Sequence, residues 1–122
     1  MPWNLTSDRP IYAQLIEQME LKICSGIYPL GFKLPSVRDL AREASVNPNT
    51  MQRALARLEE SGLVYSVRTS GRFVTEDKNM IKETKKRLAR EQVNEFLKKM
   101  LDLGFEREDI LSMLGDMLKE MI

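Results

Sequence analysis

Apolar positions recur at helical spacing along the first half of the chain. Ile11, Leu15, Ile16, Met19 and Ile23 predict a first helix. Pro10 suits its first turn, with Asp8 or Arg9 just before it, and the helix should run to about Ser25. Gly26 ends this pattern, and Ile27-Tyr28-Pro29-Leu30-Gly31 reads as a turn-rich connector. Leu34 precedes Pro35 and is therefore extended. Ser36, with Asp39 three residues on, resembles a capping box and starts a second, short helix, striped by Val37, Leu40, Ala41 and Ala44. Ser45-Val46-Asn47-Pro48 interrupts it, and Asn47 as N-cap with Pro48 at the first helical position starts a third helix. Val46, Met51, Ala54, Leu55 and Leu58 face inward and Gly62 closes the run. Two short helices joined so tightly make a helix-turn-helix.

After Gly62 the period changes. Leu63 to Val67 and Arg72 to Thr75 are β-rich, and Arg68-Thr69-Ser70-Gly71 between them reads as a turn, so a short basic hairpin follows. From Asp77 the helical period returns. Ile81, Leu88, Val93, Phe96, Leu97, Met100 and Leu101 mark one long helix, Gly104 ends it, and Phe105 packs the corner. Ile110, Leu111, Leu114, Met117, Leu118, Met121 and Ile122 mark a last helix. The expected fold is mainly α with a small β-hairpin: a winged helix-turn-helix over residues 1–76 and a two-helix element over residues 77–122.

Composition narrows the function. The chain has 122 residues and no histidine, and its single cysteine, Cys24, has no internal partner for a disulfide. The usual zinc sites and the commonest general base are therefore missing, which argues against a metal enzyme or hydrolase and for a binding protein without cofactors. No stretch approaches 18 uninterrupted apolar residues, and the opening Met-Pro-Trp-Asn-Leu lacks a signal-peptide pattern, so a cytoplasmic location is expected. Net charge is only +1, yet its layout is uneven. Lys33 to Arg72 holds seven cations against four acids, and Lys78 to Arg90 six against one, while acids collect from Asp102 to Glu120. Such a layout suits one anionic surface without making the whole chain adhesive.

The start of the third helix offers Asn47, Asn49, Thr50 and Gln52, with Arg53 one step on. Asn and Gln match the N6/N7 edge of adenine and Arg the O6/N7 edge of guanine, so this set is able to read bases in a major groove. The blander reading is that Asn47 only caps, Asn49 and Gln52 are solvated, and Arg53 pairs with acids. Ser36 caps the second helix and can leave an N–H for phosphate. Arg38 sits near its start, with Asp39 and Glu43 as alternative partners. Arg68 and Arg72 flank the Thr-Ser-Gly tip, where Ser70 and Gly71 can approach a backbone or minor groove. The Lys82, Lys85, Lys86, Arg87 and Arg90 run is either a solvated face or an auxiliary phosphate contact.

The run Leu34-Pro35-Ser36-Val37-Arg38-Asp39-Leu40-Ala41 resembles the Leu-Pro-Ser-x-Arg-x-Leu-Ala signature of the GntR family of bacterial transcription regulators. Val46-Asn47-Pro48-Asn49-Thr50, Ala54-Leu55, Leu58-Glu59, Gly62-Leu63-Val64 and Gly71-x-Phe73-Val74 follow at that family's spacing, so the resemblance covers roughly residues 9–75. The Asn-Pro-Asn-Thr variant with a short tail is similar to the YtrA subfamily, whose tail is a two-helix dimerisation element. The resemblance implies double-stranded DNA as partner, with Arg38 in contact. It also implies repression of the chain's own operon, often one encoding an ABC transporter. Two departures stand out: Pro48 replaces an Arg common inside the recognition helix, and Thr69 replaces the first Gly of an Arg-Gly-x-Gly wing core.

A pair of amphipathic helices too small to bury both faces wants a partner, and its own copy is the simplest one. Phe96, Leu97, Met100, Leu101, Leu111, Leu114, Met117, Leu118 and Met121 are the expected dimer contacts. A membrane-surface helix is the rival, against which the acidic polar face argues. The eight methionines fill a core or line an adaptable groove for a small-molecule effector. The leading expectation is a homodimeric regulator on a palindromic operator. The alternative is a winged-helix adaptor that docks proteins, and an enzyme fragment finds no room for a catalytic domain.

Overall fold

The computed structural model describes residues 3–121, so Ile122 of the last predicted helix lies outside the described residues. The elements are α1 (Ile11–Cys24), α2 (Val37–Ala44), α3 (Pro48–Glu60), β1 (Val64–Val67), β2 (Gly71–Val74), α4 (Lys78–Asp102) and α5 (Arg107–Met121). They form two compact units, one running to Lys85 and the other starting at Lys86. Among the described residues no helix is long and apolar enough to cross a membrane.

The first unit is a winged helix. Leu15, Met19, Leu40, Met51, Leu55 and Leu58 are buried at the centre of the three helices, with Leu63, Val64 and Val74 sealing the core from the hairpin side. The inward positions of α3 are the predicted ones, with Val46 half-buried beside them. At the start of α2 the Asp39 N–H donates to Ser36 Oγ at 3.1 Å, and at the start of α3 the Asn49 N–H donates to Asn47 Oδ1 at 2.7 Å. Both predicted N-caps are formed; of the capping box at α2 the Ser36 half is made, while the Asp39 carboxylate pairs with Arg42. Pro10 differs slightly: it stands just before the first turn of α1 rather than within it, and no side chain caps that helix.

The helix-turn-helix bend closes by a device that the residue types conceal. The Val46 N–H reaches Ala41 O at 2.9 Å and the Ser45 N–H reaches Arg42 O at 3.2 Å, the bond pair of a Schellman closure. Ser45 therefore takes the left-handed conformation, φ 56° and ψ 47°, usually left to glycine. At the end of α3 the same two bonds form around Gly62, whose φ of +87° no side chain opposes.

β1 and β2 pair antiparallel with Ser66 opposite Arg72 and Val67 opposite Gly71. The connector after α1 is more than a turn: Lys33 bridges to Phe73, the Leu34 N–H donates to Arg72 O and the Val74 N–H to Phe32 O, each at 2.9 Å. This third edge ties the wing to the segment entering α2. The chain before α1 is held by two glutamines one turn apart. Buried Gln14 donates to Thr6 O and Arg9 O and accepts from the Thr6 N–H, while Gln18 makes a reciprocal pair with the Asn4 backbone. Lys22, one turn further, lies 3.6 Å over the Trp3 ring.

In the second unit α4 continues to Asp102 and closes at Gly104 with the bond pair seen after α3. Here only Ile110 is buried among the described residues. Phe96, Leu101, Leu111, Leu114, Met117, Leu118 and Met121 are exposed, and Leu97 and Met100 are half-buried.

Candidate nucleic-acid interface

α3 is the element that presents chemistry outward. Residues at i, i+3, i+4 and i+7 share a helix face. Met51, Ala54, Leu55 and Leu58 point into the core. On the opposite side Asn49, Gln52, Arg53 and Ala56 are all exposed. The first turn's free N–H groups and the helix dipole add positive potential at this end. Asn47 spends its side-chain oxygen on the cap, which leaves its amide nitrogen as the outward donor. Thr50 is half-buried at the edge of the face.

The local ion pairs sort the cations. Arg42 pairs with Asp39 at 3.6 Å and Arg57 with Glu60 at 3.1 Å. Arg72 pairs with Glu59 at 2.7 Å. With those acids engaged, Arg38 in the first turn of α2 and Arg68 in the wing are exposed and make no ion pair among the described residues. The sequence left Asp39 as a candidate partner for Arg38; it pairs with Arg42 instead. Arg53 does not pair with an acid either. Its guanidinium carbon lies 4.8 Å from the centre of the Tyr12 ring on α1, a cation–π contact that restrains a long side chain without neutralising it.

The wing tip exposes Arg68, Thr69, Ser70 and Gly71. Thr69 has φ +69°, the left-handed geometry suited to the glycine that the family pattern carries there. Gly71 has φ +122°, and a Cβ there would come 3.3 Å from Lys33 Cε, so Lys33 runs beside the wing. Arg72 is turned inward: its Nε donates to Glu59 Oε1, and Ser66 Oγ donates to the same oxygen. The Ser66 bond foremost, and then Arg72, hold the Glu59 carboxyl below the usual carboxylate range.

The residues expected from the sequence to face DNA, Ser36, Arg38, Asn47, Asn49, Thr50, Gln52, Arg53, Arg68, Ser70, Gly71 and Arg72, all fall within one unit, although Arg72 is turned onto Glu59, and the apolar tail set falls within the other. Tyr12, Lys33 and Glu59 are additions from the structure. Tyr12 and Glu59 meet their partners across 41 and 13 residues of sequence, a separation at which no local pattern speaks.

Residues 11–74 match the family described as bacterial regulatory proteins, gntR family. The chain belongs to the GntR family. It is similar to two HTH-type proteins of Bacillus subtilis (strain 168). The transcriptional regulator YhcF is 38 % identical over 105 residues, covering 86 % of this chain and 87 % of YhcF. The transcriptional repressor YtrA is 36 % identical over 105 residues, covering 85 % of this chain and 81 % of YtrA. In structure, a GntR family transcriptional regulator from Listeria monocytogenes superposes with a TM-score of 0.85 at 38 % identity, over 92 % of this chain and 98 % of that one. The DNA-binding domain of AraR, solved in complex with operator ORE1, aligns with a TM-score of 0.53 at 31 % identity, over 62 % of this chain and 94 % of that one.

The GntR chain is therefore a YtrA-like DNA-binding transcription regulator and not an enzyme. The adaptor reading gains no observation: the exposed face of α3 is polar and cationic, as a groove of DNA requires.

Proposed function

We propose that this regulator is a sequence-specific, cytoplasmic repressor that binds a palindromic operator as a homodimer. The observation that carries the reading is the outward face of α3: Asn49, Gln52 and Arg53 stand on a capped helix start with no acid among them. That face enters the major groove and reads bases, Arg38 approaches the same groove from α2, and Arg68 lies on adjacent backbone or in the minor groove. Two-fold symmetry would set the half-sites about one turn apart, ~34–36 Å. Likeness to YtrA, which is named a repressor, supports repression; in this proposal the operator lies at the chain's own operon, with an ABC transporter among its products.

Residues 77–122 serve as the dimerisation element. Leu111 is 74 % exposed, Leu118 56 % and Met121 81 %, an apolar display that a second copy of the tail would cover. A small-molecule effector that changes the angle between two DNA-binding heads completes the scheme; solution scattering that stays invariant under every candidate ligand would overturn that part.

The central test is selection of duplexes from a random-sequence library, followed by light scattering of the protein alone and on the selected duplex. A consensus with two inverted half-sites and a two-chain mass in both samples is expected. A single asymmetric site bound by one chain would refute the palindrome and the dimer together.

A further inference from the structure

We propose that Glu59 is a positioning residue that fixes the wing against the recognition helix, with Ser66 and Arg72 as its two grips. Glu59 lies in the last turn of α3, one residue from its end. Its Oε1 accepts from Arg72 Nε at 2.7 Å and from the Ser66 hydroxyl. Ser66 and Arg72 are directly opposite each other across the hairpin, one pair below the Val67–Gly71 pair that opens into the tip. One carboxylate oxygen thus joins the helix that reads DNA to both strands of the wing, immediately beneath the residues that reach out.

The wing needs such a tie. It is a two-stranded hairpin, a unit with little stability of its own, and among the described residues one isolated bridge, Lys33–Phe73, extends the sheet. The side chains of Arg72 and Glu59 are 20 % and 31 % exposed, so their pair is better shielded than the Arg42–Asp39 and Arg57–Glu60 pairs on the open helix surfaces. The arrangement reassigns Arg72: it acts on DNA through Glu59, and Arg68 is the wing arginine that makes the outward contact.

The proposal rests on the chain's binding to DNA, and its test separates positioning from charge by sign. Glu59 is an acid beside the DNA-facing surface. By charge alone, Glu59→Ala would strengthen binding to a fixed mixed-sequence duplex at 50 mM salt. As a positioning residue, it weakens binding: a wing aligned about a tenth of the time lowers affinity about tenfold. Arg72→Ala should weaken it equally, and the double variant should lose no more than either single one. The salt dependence of Arg72→Ala should match wild type, since no phosphate contact is removed, whereas a direct phosphate contact would flatten the log–log slope by about 0.9 per subunit.

Nitrogen-15 relaxation of Arg68 to Gly71 in the DNA-free protein supplies the second readout. Faster local motion in both single variants, at unchanged helix signals, is expected. Unchanged wing motion, tighter binding by Glu59→Ala, or a flattened salt slope for Arg72→Ala would each overturn the assignment. Failure of the operator selection would refute sequence-specific repression and leave the wing-motion result standing on its own.

Discussion

Removal of the Arg38 side chain gives the clearest separation between folding and binding. Arg38 follows the capped first residue of α2, is exposed, and makes no ion pair among the described residues. Arg38→Ala therefore costs folding little, within about 0.5 kcal/mol. Its effect on binding depends on what it touches. A bidentate contact to a guanine edge is worth about 1–3 kcal/mol, and a symmetric dimer makes it twice, for a total of about 2–6 kcal/mol. Affinity then falls between about 30-fold and about 10⁴-fold at an unchanged melting midpoint. A phosphate contact instead leaves sequence preference intact and flattens the log–log salt slope by about 0.9 per subunit. Fluorescence anisotropy with a library-selected duplex and a base-substituted control, from 50 to 200 mM salt, distinguishes the two. An affinity within twofold of wild type at every salt concentration would refute the DNA role. A large drop in melting midpoint would show that Arg38 supports the fold instead.

Tyr12→Leu removes the ring beneath Arg53 while keeping apolar bulk. It should lower discrimination between selected and base-substituted duplexes, and a Tyr12–Arg53 double-mutant cycle should yield a coupling of about 0.5–1 kcal/mol; additive effects would remove Tyr12 from the recognition apparatus. Glu59 has its folded pKa lowered by Ser66 and Arg72, so its contribution to wing order is complete above its unfolded pKa and is lost as pH falls through the lower folded value. Wing amide protection followed by NMR should hold at neutral pH and fade only on acidification, and Glu59→Gln should abolish that transition. Thr69→Gly relieves a β-branched residue held at φ +69°, a cost of order 1 kcal/mol or more that outweighs the entropy glycine adds to the unfolded chain. Its turn bond from the Ser70 N–H to Val67 O should exchange more slowly, and faster exchange would show that Thr69 is unstrained.

Much of the fold was legible in the residue order because its signals are local. Caps, breakers and the Asn-Pro start of α3 act over two to four residues, and the apolar stripe of each helix repeats within a turn, so α2, α3 and the hairpin emerge where their residues predict them. The outward face of α3 follows from the same periodicity: once Met51, Ala54, Leu55 and Leu58 are inside, Asn49, Gln52 and Arg53 must be outside.

What each cation does was decided by the tertiary structure alone. Arg38, Arg53, Arg68 and Arg72 are the same residue type in the same basic stretch, yet one stacks on Tyr12, one is drawn inward by Glu59, and two remain outward. Ser45 adopts a glycine-like turn because α2 and α3 must both bury their stripes, and packing overrides its local preference. Periodicity assigns a residue to a face, but a charge finds its partner through space. The contacts that join α1 to α3 and α3 to the wing form only when the core has brought distant segments together.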